Sequence, residues 1–381
     1  MVDGAITEAR RDNPLRQLQE AGQSVWLDFL SRELLDSGRL SRLIEEDAVS
    51  GVTTNPAILE KAISTGSEYE ARIEAAVHTT GPDPLALYEQ LAISDVRDAA
   101  DLLRSVFDGS NGKDGWVSLE VSPHLADDCS GTVAEAKRLW EAVDRPNVMM
   151  KVPATPAGVC ALRELLVDGV PVNVTLLFSC QRYQEVALAY LEALEIRKAQ
   201  AKSVAEVRSV ASFFVSRIDT YMDRQLASIP GGAALQGRIA VANARRAYRL
   251  HQELLGSNRW LELAREGAQP QRLLWASTST KNPEYRDTLY VEELVAPNTV
   301  NTLPLETLEA FRDHGRVRPM GAAELELAER ELAGLESLGI DLEAACDALL
   351  VDGLRKFQVP FDKLLQGLQA RVRDFISTSV P

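Results

Sequence analysis

The chain has 381 residues, 45% of them hydrophobic and 25% charged, with a formal net charge of −15. These fractions supply a sizeable core and exclude a wholly disordered chain. The acidic balance argues against nucleic acid or anionic lipid as a partner, so a phosphate-bearing ligand must be held by a few placed cations working against the global field.

Met1 to Arg16 is polar and charged, without the apolar stretch of a signal segment. The longest largely apolar run, Val170 to Phe178, is too short to span a bilayer, so no membrane role is expected. Pro14 to Gly22 reads as a lead-in helix. Short apolar runs then recur at helix-sized intervals and are expected as strands: Ser24 to Asp28, Val49 to Thr53, Gly115 to Val121, Val148 to Val152, Val170 to Leu177, Val207 to Val215, Leu273 to Ser277 and Thr299 to Leu303. Between them lie amphipathic stretches, such as Leu85 to Ala99 and Thr132 to Trp140. After them, Gly321 to Leu338 is an Ala/Glu/Leu-rich helix, and Asp341 to Phe375 reads as two amphipathic segments broken at Pro360. Alternating strands and helices predict an α/β fold, a closed (β/α)8 TIM barrel over about residues 24–315 with additional N- and C-terminal helices, the latter over about 320–381. No linker separates these parts, so a single domain over 1–381 is expected.

Cys129, Cys160, Cys180 and Cys346 are far apart without a CxxC pair, and the histidines do not cluster. Neither a zinc site nor a disulfide framework is expected; Cys160 and Cys180 read as small buried hydrophobes, and a reducing cytoplasm fits. The five tryptophans sit in core-like runs and read as packing. His124, beside Ser122-Pro123, reads as a loop residue near a strand end.

Polar residues interrupt the apolar runs near their carboxyl ends, where barrels carry their chemistry. Asp28 ends the first strand, Thr53, Thr54 and Asn55 the second, and Glu120 lies in the third. Lys151 closes Val148-Met149-Met150, Asn173 and Thr175 share one face of the fifth strand, and Ser212, Arg217, Ser277 and Lys281 follow. Taken singly, each has a bland explanation: a solvated lysine, an N-capping aspartate, a threonine chosen for strand propensity. Jointly they place charged groups on one end of consecutive strands, and buried Lys and Glu are rare unless paired. A lysine in dry surroundings is pushed toward the neutral amine, which can condense with a ketose carbonyl to a protonated Schiff base. Glu120 and Asp28 are the candidate proton carriers. Asn55, Asn173 and Thr175 can orient hydroxyls and a water, and Ser212, Arg217 and Lys281 can cradle a phosphate.

The phrases Val25-Trp26-Leu27-Asp28, Gly51-Val52-Thr53-Thr54-Asn55-Pro56, Val117 to Pro123, Lys151-Val152-Pro153-Ala154-Thr155, Val172 to Ser179, Ala211 to Asp219, Trp275-Ala276-Ser277-Thr278 and Thr299-Val300-Asn301-Thr302 resemble, in order, those of the transaldolase family, in particular its longer bacterial branch. Asp352 to Phe357 resembles that family's closing helix. The resemblance implies that Lys151 is the Schiff-base lysine, that Glu120 is the acid/base acting through a water held with Thr175, and that Asp28 takes the C4 hydroxyl proton. Asn55 and Asn173 would bind the dihydroxyacetone hydroxyls, and Ser212 and Arg217 the phosphate. Thr53 and Phe214 belong to the expected substrate-binding set. At the seventh strand shorter transaldolases place a phosphate-binding arginine; here Lys281 is the nearest cation, without the bidentate fork.

The implied reaction converts sedoheptulose 7-phosphate and glyceraldehyde 3-phosphate to erythrose 4-phosphate and fructose 6-phosphate in the pentose phosphate pathway. No metal or organic cofactor is implied, and the partners are small sugar phosphates, bound by a monomer or homodimer. Rival readings are a class I aldolase that releases free dihydroxyacetone, a catalytically silent barrel, and the same chemistry on an unusual acceptor. Aldolase relatives tend to carry tyrosine where Phe214 stands and glutamine where Glu120 stands, and this chain has neither.

Overall fold

The architecture follows from strands that are apolar on both faces and must therefore be covered on both. In the computed structural model, which describes residues 13–379, eight parallel strands close into a barrel in sequence order. They are β1 (Gln23–Leu27), β2 (Val49–Thr53), β3 (Trp116–Glu120), β4 (Val148–Pro153), β5 (Val172–Leu177), β6 (Ser209–Phe214), β7 (Arg272–Ala276) and β8 (Thr299–Leu303). Every residue of every strand is buried. Each expected run overlaps its strand. Val170 and Val207 precede theirs, because their N–H groups close turns on Leu165 O (2.9 Å) and Val204 O (3.4 Å).

The amino-terminal floor of the barrel is closed by polar pairing. Asp114 accepts from Ser24 Oγ at 2.8 Å, Trp26 Nε1 at 3.2 Å and Arg272 Nη2 at 2.9 Å. The Trp26 ring, fully buried, lies against Gly51, where a Cβ would stand only 2.5 Å from it. Glycine at that place lets the indole fill the barrel interior.

Helices surround the barrel, and Pro14–Glu20 leads into it as expected. Two expectations need correction. Cys129 and Cys160 are not unpaired thiols: they form a disulfide, Cα–Cα 5.9 Å, between the helices Cys129–Val143 and Pro156–Asp168. Their separation of 31 positions amounts to one βα repeat, which brings corresponding faces of successive helices together. Cys180 and Cys346 are buried free thiols.

The chain does not break at Pro360 either. One helix runs through it from Leu342 to Ser379. Proline removes a single backbone donor. Phe357, Phe361, Leu364, Leu368 and Val372, all buried and recurring every three or four residues, hold one continuous face against the barrel. That helix covers the carboxyl end of the barrel, with His124 Nε2 2.7 Å from Asp362 Oδ1 and Lys363 Nζ 2.6 Å from Glu60 Oε1. Among the described residues no helix is long and apolar enough to cross a membrane.

Removing the Asp114 carboxylate leaves the buried Arg272 guanidinium hydrogen-bonded to Ser24 and the Lys113 carbonyl but without its counter-charge. Asp114→Ala should therefore lower stability by roughly 3 kcal/mol, read as an earlier thermal unfolding midpoint; an unchanged midpoint would show that the floor pairing contributes nothing.

Candidate active site

Register sets the site. β3 and β4 pair Glu120 with Lys151, and β4 and β5 pair Lys151 with Asn173 and Pro153 with Thr175. Partners in register on adjacent strands project to the same side of the sheet. Glu120, Lys151 and Asn173 thus stand in a row although they are far apart in sequence.

Lys151 is 4% exposed. Its Nζ donates to Thr54 O at 2.8 Å and lies 3.6 Å from Glu120 Oε2. Burial pushes the Glu120 carboxyl up to about 7, with the charge of Lys151 partly opposing that rise. Asp28 is also raised by loss of hydration, against the pull of Lys151 and a hydrogen bond from Thr53. Thr53 Oγ1 sits 2.7 Å from both Asp28 Oδ1 and Thr302 Oγ1, which fixes the carboxylate at the end of β1.

Of these groups Asp28, Thr53 and Lys151, but not Glu120, open on a cavity of 130 Å³ at the barrel mouth. Asp28, Thr53, Asn55, Lys151, Thr175 and Ser212 line its inner part. Asn55 caps the helix Pro56–Thr65 by accepting from Ile58 N at 3.0 Å, which leaves its amide donor for a ligand. Asn173 lies just behind the lining. It accepts from Ser212 Oγ at 2.6 Å and donates to Ser118 Oγ at 3.0 Å, so its amide is held at both ends.

Phe214, Arg217 and Lys281 form the outer wall. The Arg217 guanidinium lies 5.2 Å from the centre of the Phe214 ring, and burial lowers its pKa against the opposing pull of Asp352, Asp28 and Glu120. Lys281 Nζ donates to Ser279 Oγ at 2.6 Å, and lost hydration with repulsion from Arg217 pulls its pKa down. The two cations therefore share one corner of the mouth, where an anion would relieve both.

Three buried polar atoms in this region lack a hydrogen-bond partner: Glu120 Oε2, Thr175 Oγ1 and Arg217 Nη1. Buried polar groups are normally paired, so such atoms mark capacity kept for a ligand or water. Thr175 is aimed by an irregularity: the β5–β6 register shifts between Val174 and Leu177, and Leu176 adopts φ 59°, a left-handed conformation that bulky residues avoid.

The structure brings every expected site residue to this one end. Ser277, expected at the end of the seventh strand without an assigned role, lines it too, and the structure adds Ala276, Ser279, Thr302, Pro304 and Phe357. Ser277 is held at φ 58°, with its hydroxyl 2.9 Å from Ser216 Oγ. Phe357 comes from the last helix and lies 5.6 Å, ring centre to nitrogen, over Lys151 Nζ. Ligand-type side chains close enough to share an ion, among the described residues, are Cys129, Cys160 and Glu164 on the outer helices. The two sulfurs there are bonded to each other, which withdraws them from ligation.

The family described as Transaldolase/Fructose-6-phosphate aldolase matches residues 25–368. The chain is 47% identical over 360 residues to a transaldolase of Saccharopolyspora erythraea, covering 94% of this chain and 97% of the relative. It is 45% identical over 364 residues to transaldolase 2 of Streptomyces avermitilis, covering 94% and 97%. A transaldolase of Mycolicibacterium smegmatis is 46% identical over 364 residues, covering 94% and 98%. A closed eight-strand barrel, a buried lysine beside a carboxylate, and a match running through nearly the whole sequence agree: the chain belongs to the transaldolase/fructose-6-phosphate aldolase family.

Proposed function

We propose that the chain is a transaldolase whose nucleophile is Lys151, moving a dihydroxyacetone unit from sedoheptulose 7-phosphate to glyceraldehyde 3-phosphate. The observation that carries this reading is the position of Lys151 Nζ, buried and 3.6 Å from Glu120 Oε2. The nitrogen adds to the C2 carbonyl of the ketose, and Glu120 moves protons, through a water held with Thr175, until hydroxide leaves as water and an iminium remains. Asp28 takes the proton of the C4 hydroxyl. The C3–C4 bond then breaks, its electron pair passing to the iminium nitrogen and leaving an enamine on Lys151. The acceptor aldehyde replaces the departed one, C3 attacks it, Asp28 returns the proton, and water releases the new ketose.

Asn55 and Asn173 are assigned to the hydroxyls of the three-carbon unit. Arg217 and Lys281, with Ser212 and Ser279 nearby, are assigned to the phosphate end. Fixing the donor at both ends gives the reacting carbons one orientation. Phe214 favours transfer over simple cleavage, since a phenyl ring has no hydroxyl with which to protonate the enamine. Sugar phosphates are charged and do not diffuse across bilayers, which supports a cytoplasmic location; the working unit is read as a monomer or homodimer.

Borohydride added with fructose 6-phosphate should trap a six-carbon or three-carbon adduct on Lys151, found by mass mapping and absent in Lys151→Arg. A label on another residue would reject the assignment. Lys151→Ala should lower kcat by on the order of 10⁴-fold or more, as loss of a nucleophile does.

The pH profile tests Glu120. Its raised pKa means that the carboxylate needed to accept a proton is populated only as pH rises through about 7. Activity should fall as pH drops below that midpoint, and Glu120→Gln should abolish this acid limb along with most of kcat, roughly 10²- to 10⁴-fold. A limb of unchanged midpoint in Glu120→Gln would assign it to another group.

With fructose 6-phosphate alone, release of glyceraldehyde 3-phosphate should be far slower than transfer with erythrose 4-phosphate present. Equal rates would identify an aldolase instead.

A further inference from the structure

We propose that Phe357, delivered by the last helix, is a specificity-determining residue that keeps the bound three-carbon enamine for an acceptor aldehyde by shielding Lys151 from solvent. This deepens the reading of Lys151 as the Schiff-base lysine and rests on it.

Phe357 is 4% exposed and lines the mouth cavity together with Asp28 and Lys151. Its ring centre stands 5.6 Å from Lys151 Nζ, within the range at which an aromatic face attracts a cation. The charge that develops on that nitrogen as an iminium therefore meets the negative face of a ring, and bulk water meets hydrocarbon.

The ring is held in place by its helix, fixed on both sides of it. Gln358 Nε2 donates to Pro123 O at 3.3 Å, and Phe361 packs edge-on against Tyr88, ring centres 5.4 Å apart. Further along, Arg371 Nη2 donates to Ser64 O at 3.0 Å. One turn before Phe357, Gly353 packs against Leu176, where a Cβ would stand 3.0 Å from Leu176 Cδ2. The absent side chain lets the helix approach the bulged end of β5, beside Thr175.

The chemistry explains why a shield matters. After C3–C4 cleavage the enamine has two fates. If C3 attacks an aldehyde, a new carbon–carbon bond forms. If C3 instead takes a proton from water, the iminium of dihydroxyacetone results; a second water adds at C2, the C–N bond breaks, and free dihydroxyacetone leaves Lys151 as the amine. What sets the second route apart is a proton delivered by solvent water at C3, since both routes end with water adding at C2. Phe214 withholds an internal proton donor, and Phe357 closes the outward side against an external one.

The test compares Phe357→Ala and Phe357→Leu with the unaltered full-length chain. Two quantities are measured: free dihydroxyacetone released from fructose 6-phosphate without an acceptor, and transfer with erythrose 4-phosphate. Phe357→Ala should raise the ratio of release to transfer at least about tenfold. Phe357→Leu keeps apolar cover and should hold that ratio within about twofold, while losing roughly two- to tenfold in kcat with the aromatic face. An unchanged ratio in Phe357→Ala with a near-native melting temperature would overturn the proposal. So would a raised ratio in Phe357→Leu, which decides the matter should the alanine variant fail to fold. Borohydride trapping on Lys151 should persist in all three; its absence from the unaltered chain would instead overturn the assignment of the nucleophile.

Discussion

The approach of Lys151 to Glu120 inside a dry barrel end is the constraint on which the remaining structure depends. Two opposite charges taken out of water cost several kcal/mol apiece after relaxation, and their mutual attraction repays this only in good geometry. Here the pair is 3.6 Å apart, the lysine has one carbonyl acceptor, and Glu120 Oε2 has no hydrogen-bond partner. Such an arrangement is poorer for stability than a packed leucine pair. It is held because the surrounding framework is fixed elsewhere: by in-register pairing of β3, β4 and β5, and by the floor at the opposite end, where Asp114 satisfies three donors.

The two ends of the barrel differ in their chemistry. At the amino-terminal end Asp114 gathers three donors beneath the Trp26 indole, while Gln23 Oε1, Asn147 Oδ1 and Gln271 Oε1 are buried without a partner. The carboxyl end keeps acceptors and donors unmatched: Thr175 Oγ1 and Arg217 Nη1 join Glu120 Oε2 in lacking partners. Two of the non-glycine residues at positive φ, Leu176 and Ser277, stand close to site side chains.

Much of this was legible in the sequence, and the reasons are local. Lys151 stands out because a charged residue closes a run of valine and methionine, and Asn173 and Thr175 because their spacing of two places them on one face of a strand. The eight strands show as apolar runs, since a parallel strand is buried on both faces. What could not be read depends on contacts between distant segments. Phe357 lies about 200 residues from Lys151, and nothing in its helical pattern says which buried face meets the lysine. Pro360 looks like a break because the cost of a proline is local, while the apolar face that overrides it gains from the whole barrel. The positive φ at Leu176 is imposed by the barrel against the residue's own preference, so no propensity reveals it.

The Cys129–Cys160 bond escaped the sequence for the same reason, and it has a consequence for the molecule as a whole. Closing a 31-residue loop removes unfolded-state entropy worth about 3–4 kcal/mol in a chain-entropy account. Cytosolic glutathione and thioredoxin keep thiols apart. The same polypeptide is therefore expected to withstand more heat under oxidising surroundings than where reductants prevail.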